Sequence, residues 1–217
     1  MKYERNSYFI LLTSRFIMET YPLSIAILDF VPTIAFLVGA YYLVRITLMM
    51  RGSPCGRMAM AGSVLVFLGG FLKALWKLLY TTNVGDYQWM SQIQFVLLAP
   101  GFLALLVAVI LMARGKKKTT APILAMAAWK IPLLAIMTLS SMGLQGILAY
   151  MAFQRKNTWA AVGFIIAFLC LVGMGAMASG EQTLARQWIE EGINTVGELG
   201  FMFGAILLHN DFSKNGC

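Results

Sequence analysis

Polar residues recur along the last apolar segment of the chain at a spacing that puts them on one side of a helix. Gln187, Glu191, Asn194 and Glu198 are separated by four, three and four residues, and such positions share one helical face. Glu198 lies about ten residues into the segment, near the centre of a bilayer. A carboxylate at that depth costs at least ~2.5 kcal/mol, so it should face a cavity or a partner, or stay protonated.

We therefore interpret Glu198 as a group that binds or couples an ion or solute, with Asn194 and Glu191 beside it. The alternative for Asn194 and Glu198 is a hydrogen bond that packs one helix against another. Glu191 lies close to the start of its helix, where an acidic residue also complements the helix dipole.

Two further ionisable residues precede prolines in unusually long apolar segments. Asp29 lies three residues before Pro32, and Lys130 lies two residues before Pro132. Proline removes a backbone donor, and a broken helix presents backbone groups that can bind an ion or substrate. One interpretation makes Asp29 and Lys130 gate or site residues, paired with each other or with Glu198. In the other interpretation, the membrane-spanning part of each segment begins near its proline, and both side chains lie at the membrane interface.

Two lysines, Lys73 and Lys77, lie four residues apart near the end of the second apolar segment. Their position favours anchors that extend to the interface and complement the helix dipole, rather than ligands of a substrate. Gln94 and Gln145 are expected to form hydrogen bonds between helices.

The residue types in the chain give little indication of a metal or cofactor site. The chain has one histidine and three widely spaced cysteines, which argues against a multi-histidine zinc site, bis-histidine haem or a thiolate cluster. No Walker loop, nucleophile elbow or zinc-protease motif is present. We predict no metal and no cofactor. An enzyme acting on a lipid would need Asp29 and Glu198 to converge on one water or substrate group.

The composition indicates the class of protein that positions these residues. Hydrophobic residues make up 59% of the 217, charged residues only 12%, and the mean hydropathy is +0.75. Soluble domains carry about twice that share of charge, so the chain is expected to be an all-α integral membrane protein. The net charge of +8 is concentrated near the ends of apolar segments, which favours membrane topology over binding to nucleic acid.

The apolar segments predict a single membrane domain with about six spans. Residues 1–20 are predicted to form an interfacial amphipathic segment. Residues 21–112 hold the first three spans, at about 21–50, 58–80 and 89–112, and residues 121–209 hold the last three, at about 121–153, 159–179 and 188–209. The basic run from Arg114 to Lys118 predicts a cytoplasmic loop, with both chain ends on the other side of a plasma or inner membrane.

A weak internal similarity suggests a repeat of three spans. At an offset of 99 residues, Gln88-Trp89 matches Gln187-Trp188 and Gly101-Phe102 matches Gly200-Phe201, while Gln92 faces Glu191. One residue out of that register, Pro32 corresponds to Pro132. Because three spans per unit is an odd number, two units would lie in opposite orientations, as in inverted-repeat transporters. The alternative is coincidence, since membrane helices draw on few residue types.

Three functions are compatible with these features. The first is a small transporter or channel for an ion or small solute, with Glu198 as the coupling or binding group. The second is a non-catalytic membrane subunit or ligand-binding component, acting as a homo-oligomer or beside a partner subunit. The third is a membrane-embedded enzyme that modifies lipids. Fold alone cannot choose among them.

Overall fold

The computed structural model describes residues 22–113, 130–177 and 183–215, without the side chains of residues 130–132. These ranges contain helices and no strand. The helices are α1 (Leu23–Leu28), α2 (Phe30–Arg51), α3 (Ser53–Thr81), α4 (Gln88–Ala113), α5 (Lys130–Gln154), α6 (Thr158–Met177) and α7 (Leu184–Asn215).

Five stretches of helix are long and apolar enough to cross a membrane, which supports the prediction of a multi-span membrane protein. They are Leu23–Arg51 (α1 with α2), Ser53–Thr81, Gln88–Ala113, Leu133–Gln154 and Thr158–Met177. The predicted sixth span falls in α7, which is not among them because its charged residues lower its hydropathy. The predicted interfacial segment and the start of the fourth predicted span lie outside the described residues.

The break between α1 and α2 falls at Asp29. Pro32 lies in the first turn of α2 and has no amide hydrogen to continue the hydrogen bonding of α1. The hydroxyl of Thr33 donates to the carbonyl of Asp29 at 3.3 Å. Pro32 thus interrupts what would otherwise be one continuous apolar helix, and Asp29 lies at the interruption.

The six long helices form a closed ring in chain order. Each packs against its neighbours in sequence, and α7 closes the ring by packing against α2. Aromatic side chains fill the interior: Phe36 of α2 stacks on Phe201 of α7 at 5.7 Å and meets the edge of Phe102 of α4 at 6.0 Å, measured between ring centroids. Large apolar side chains such as Ile34, Leu139 and Trp159 are exposed on the outside, as expected of a surface that faces lipid.

The first and last helices of the ring run in parallel. Gly39 of α2 approaches Phe201 of α7, and further along both helices Tyr42 contacts His209, with ring centroids 5.1 Å apart. The described chain therefore begins at one end of the bundle and finishes at the other. The prediction that both chain ends lie on the same side also depends on residues 1–21, which lie outside the described residues.

Helices α4 and α5 also end at the same end of the bundle as α7. Cys55, near the start of α3, donates to the carbonyl of Ala108 near the end of α4, so α4 is antiparallel to α3. Arg155, just after α5, forms an ion pair with Asp211 near the end of α7. Hence α2, α4, α5 and α7 run one way, and α3 and α6 run the other way. These directions do not fit the inverted repeat, which requires the last three helices to oppose the first three.

Candidate functional site

Four charged side chains meet where the break between α1 and α2 faces α3 and α7. We call Asp29, Lys73, Lys77 and Glu191 the charge cluster. The Lys77 Nζ atom lies 3.0 Å from Asp29 Oδ2 and donates a hydrogen bond to Glu191 Oε1. The Lys73 Nζ atom lies 3.6 Å from Asp29 Oδ1 and 3.7 Å from Glu191 Oε1. Each lysine therefore bridges two carboxylates from different helices.

The charge cluster is buried and electrically balanced. The side chains of Asp29, Glu191 and Lys77 are 4%, 6% and 8% exposed, whereas that of Lys73 is 30% exposed. Two cations face two anions, so their attraction can offset the cost of removing four charges from water. The cluster connects the break between α1 and α2 to α3 and α7 at one end of the ring.

A second polar feature, the polar cavity, lies between α5, α6 and α7. Its volume is about 40 Å³, enough for a few water molecules. Its polar and sulfur-bearing lining residues are Ser141, Gln145, Cys170, Met174, Asn194 and Glu198.

The polar groups of this cavity are only partly satisfied by the protein. Gln145 is 7% exposed, and its Oε1 atom has no hydrogen-bond partner among the described residues. Within the same ranges, no cation forms an ion pair with Glu198. A buried acceptor without a partner costs about 1–3 kcal/mol. The cavity is therefore suited to a ligand or water that interacts with these oxygens.

The charge cluster and the polar cavity are separate sites on α7. Glu191 belongs to the cluster and Glu198 to the cavity, and a separation of seven helical residues corresponds to about 10 Å along the axis. Asp29 is held by the two lysines of the cluster. The structure thus places the predicted stripe of α7 in two different environments.

The residues predicted from the sequence divide accordingly. Asp29 and Glu191 lie together in the charge cluster, and Asn194 and Glu198 lie together at the polar cavity. The side chain of Lys130 lies outside the described part of the chain, so its predicted role is untested. Sequence reasoning missed Lys73 and Lys77, which were interpreted as interfacial anchors. The available signal was that two lysines share one face of an apolar helix in a chain that also carries carboxylates in its apolar segments.

Within the described residues, no group of three or more histidine, cysteine or acidic residues could hold a metal ion. No family model, curated protein or solved structure matches the chain. The fold and the two polar sites define an all-helical protein with several helices suited to cross a membrane.

Proposed function

We propose that the protein is a small membrane transporter or channel for an ion or small solute, with Glu198 as its binding or coupling group. The observation that carries this proposal is the polar cavity, which is lined by Glu198, Asn194 and Gln145. The amide oxygen of Gln145 has no hydrogen-bond partner in the described part of the chain. Ionisable groups inside a membrane bundle are expensive and usually mark a pathway for ions or protons. A water-sized space around such a group is what a coupling site requires.

The charge cluster acts as a gate in this proposal. Lys77 and Lys73 connect the helix break at Asp29 to Glu191 on α7. If water entered the charge cluster, its buried ion pairs would be replaced by separately hydrated charges. Helix α7 would then be released from α3 at this end of the ring. Such a rearrangement has two discrete states, as alternating access needs.

The sixth span of the proposal is α7. Its most exposed large apolar residues are Ile189, Val196 and Phe203, at 55%, 52% and 57%. They are spaced by seven residues and so follow one face of the helix. Glu191 lies on the buried side, and Glu198 faces the polar cavity. An apolar outer face with a polar inner face suits a helix that lies in lipid and lines an internal pathway.

The two ends of the bundle differ in charge. The end that holds the turn at Gly52 and the turn after α5 carries six described basic residues and one acidic residue: Arg45, Arg51, Arg57, Arg155, Lys156, Lys214 and Asp211. We call it the basic end. The opposite end carries four basic and four acidic residues: Lys73, Lys77, Lys130, Arg186, Asp29, Asp86, Glu190 and Glu191. The positive-inside rule places the basic end in the cytoplasm and the charge cluster on the other side.

The internal repeat is parallel in this proposal. The directions of α2, α3 and α4 equal those of α5, α6 and α7, and a half-turn about the axis of the ring exchanges the two sets. Close glycine contacts occur at matching places. A Cβ on Gly62 would lie 2.7 Å from the carbonyl oxygen of Gly101, and one on Gly163 would lie 2.7 Å from that of Gly200. Parallel repeats about an axis along the membrane normal are also found among transporters.

The remaining functions receive less support. A lipid-modifying enzyme would need Asp29 and Glu198 at one centre, and they belong to different sites. A non-catalytic membrane subunit, or a homo-oligomer, would bury part of the apolar outer surface against another chain. That surface matches the lipid bilayer equally well, whereas the polar cavity is an observation that supports transport.

The proposed function is tested by replacing Glu198 with glutamine. Glu198→Gln keeps the shape of the side chain but removes its charge and titration, so we expect normal abundance and no flux. The measurement is uptake of protons and of sodium ions into proteoliposomes, with a trapped pH dye and with radioactive sodium. Glu190→Gln is the matched control, because Glu190 pairs with Arg186 in a partly exposed i,i+4 contact and should keep its flux.

A packing role for Glu198 gives a different pattern. Glu198→Leu removes a group that is costly in lipid and should also be tolerated in the membrane. Normal flux in Glu198→Gln, combined with misfolding of Glu198→Leu in detergent, would mean that Glu198 only packs helices.

The proposed topology predicts which side of the membrane each end of a helix reaches. In a background without native cysteines, Ala113→Cys and Asn215→Cys should react with an impermeant maleimide from the same, cytoplasmic, side. Asn83→Cys, in the turn between α3 and α4, should react only from the opposite side. Labelling of positions 113 and 215 from opposite sides would contradict the parallel arrangement.

A further inference from the structure

We infer that the polar cavity binds a single small monovalent cation, either Na⁺ or a hydronium ion, through oxygen atoms centred on Glu198. This inference rests on the proposed function and specifies its substrate or coupling ion. It starts from the size of the cavity. Pockets for small organic molecules measure on the order of 300–1,000 Å³, whereas this cavity measures about 40 Å³. The space around Glu198 is sufficient for one ion with one or two waters.

The chemistry of the lining selects the charge and type of the ligand. Glu198, Gln145, Asn194 and Ser141 all offer oxygen atoms, which hard cations prefer over nitrogen or sulfur. Among the described residues, no basic side chain lines the cavity, so an anion would meet the repulsion of Glu198. The cavity is therefore selective for positive charge.

Glu198 is the one carboxylate among the described lining residues, and this number bears on the valence of the ion. In a region of low dielectric, a site is stable when its charges cancel. One cation of charge +1 neutralises Glu198, whereas a divalent ion would leave an uncompensated buried charge. The amide oxygen of Gln145, which is buried and lacks a hydrogen-bond partner among the described residues, supplies a neutral ligand. We expect Gln145 and Asn194 to complete the coordination without changing the balance of charge.

A native cysteine allows binding to be measured without a flux assay. Cys170 lines the cavity, so an ion bound at Glu198 should slow its reaction with methyl methanethiosulfonate. The modified peptide is quantified by mass spectrometry in the intact wild-type protein. Cys55 is 7% exposed and donates to Ala108, which makes it an internal control that should not respond to the ion.

The first arm compares NaCl with choline chloride at constant pH and ionic strength. If Na⁺ is the ligand, labelling of Cys170 should slow about tenfold when the Na⁺ concentration is roughly ten times Kd. Glu198→Gln should abolish this protection. The second arm measures labelling against pH in choline chloride. If hydronium is the ligand, the ratio of wild-type to Glu198→Gln rates should change with pH, while the NaCl arm stays flat.

Two results would overturn the inference: the absence of both effects, or protection by Na⁺ that persists in Glu198→Gln. These results differ from a failure of the proposed function. Cation binding without any flux in proteoliposomes would leave the site in place and refute transport. Flux that depends on Glu198, without protection of Cys170 in either arm, would leave transport in place and refute the cation site.

Discussion

Replacement of Lys77 by methionine is expected to destabilise the folded protein by about 3–5 kcal/mol, because it removes one partner from a buried ion cluster. Lys77 Nζ contacts the carboxylates of Asp29, at the break between α1 and α2, and of Glu191 on α7, and its side chain is only 8% exposed. Methionine fills a similar volume, so loss of packing contributes little. Asp29 and Glu191 would then share Lys73 alone, which leaves one buried negative charge uncompensated.

The measurement is the free energy of unfolding in mixed detergent micelles, together with the yield of folded protein from membranes. Lys214→Met is the matched control, since the same substitution at an exposed position should change stability by no more than about 0.5 kcal/mol. The double substitution Lys77→Met with Glu191→Met removes one cation and one anion. It should recover most of the lost stability, because apolar replacements for a buried ion pair are often neutral. A double variant as unstable as Lys77→Met would show that charge balance is not what the cluster supplies.

The second large effect is expected at the glycine contact between α6 and α7. A Cβ added at Gly163 would lie 2.7 Å from the carbonyl oxygen of Gly200 and 3.0 Å from the backbone nitrogen of Gly204. Backbone atoms cannot rotate away as a side chain can, so Gly163→Ala must push the two helices apart. We expect a loss of about 1–3 kcal/mol in the free energy of unfolding.

A matched control exists on α5. A Cβ at Gly146 would meet no atom within 4 Å, so Gly146→Ala should be neutral or stabilise the helix by up to about 1 kcal/mol. Gly62→Ala should behave as Gly163→Ala does, because its Cβ would also lie 2.7 Å from a glycine carbonyl. Equal stability of Gly163→Ala and Gly146→Ala would mean that the glycines are not needed for close packing.

Much of the helical architecture could be predicted from the sequence. Runs of apolar residues defined the spans, and the ends of α4 and α6 fall within a few residues of the predicted ones. The reason is that hydropathy is a local property: each residue that faces lipid must itself be apolar, whatever its distant partners are. The interruption at Asp29 was also predictable, since Pro32 has no amide hydrogen.

The partners of the charged residues were not predictable in the same way. Lys77 and Glu191 are 114 residues apart, and no local pattern states that α3 and α7 meet beside the break at Asp29. The direction of α5 was missed for a similar reason. A similarity between residues 99 positions apart shows which residues correspond in the two segments. It does not show in which direction the second segment crosses the membrane. The roles of Glu198 and Lys130 remain predictions.

The closure of the ring by its first and last helices has a consequence for biosynthesis. Lys77 is made 114 residues before Glu191, which corresponds to about 6–23 s at ordinary rates of translation. During that interval Lys73 and Lys77 have Asp29 as the one acidic member of the cluster. The early helices therefore reach the membrane as an intermediate with a surplus positive charge, and the arrival of the last helix neutralises it.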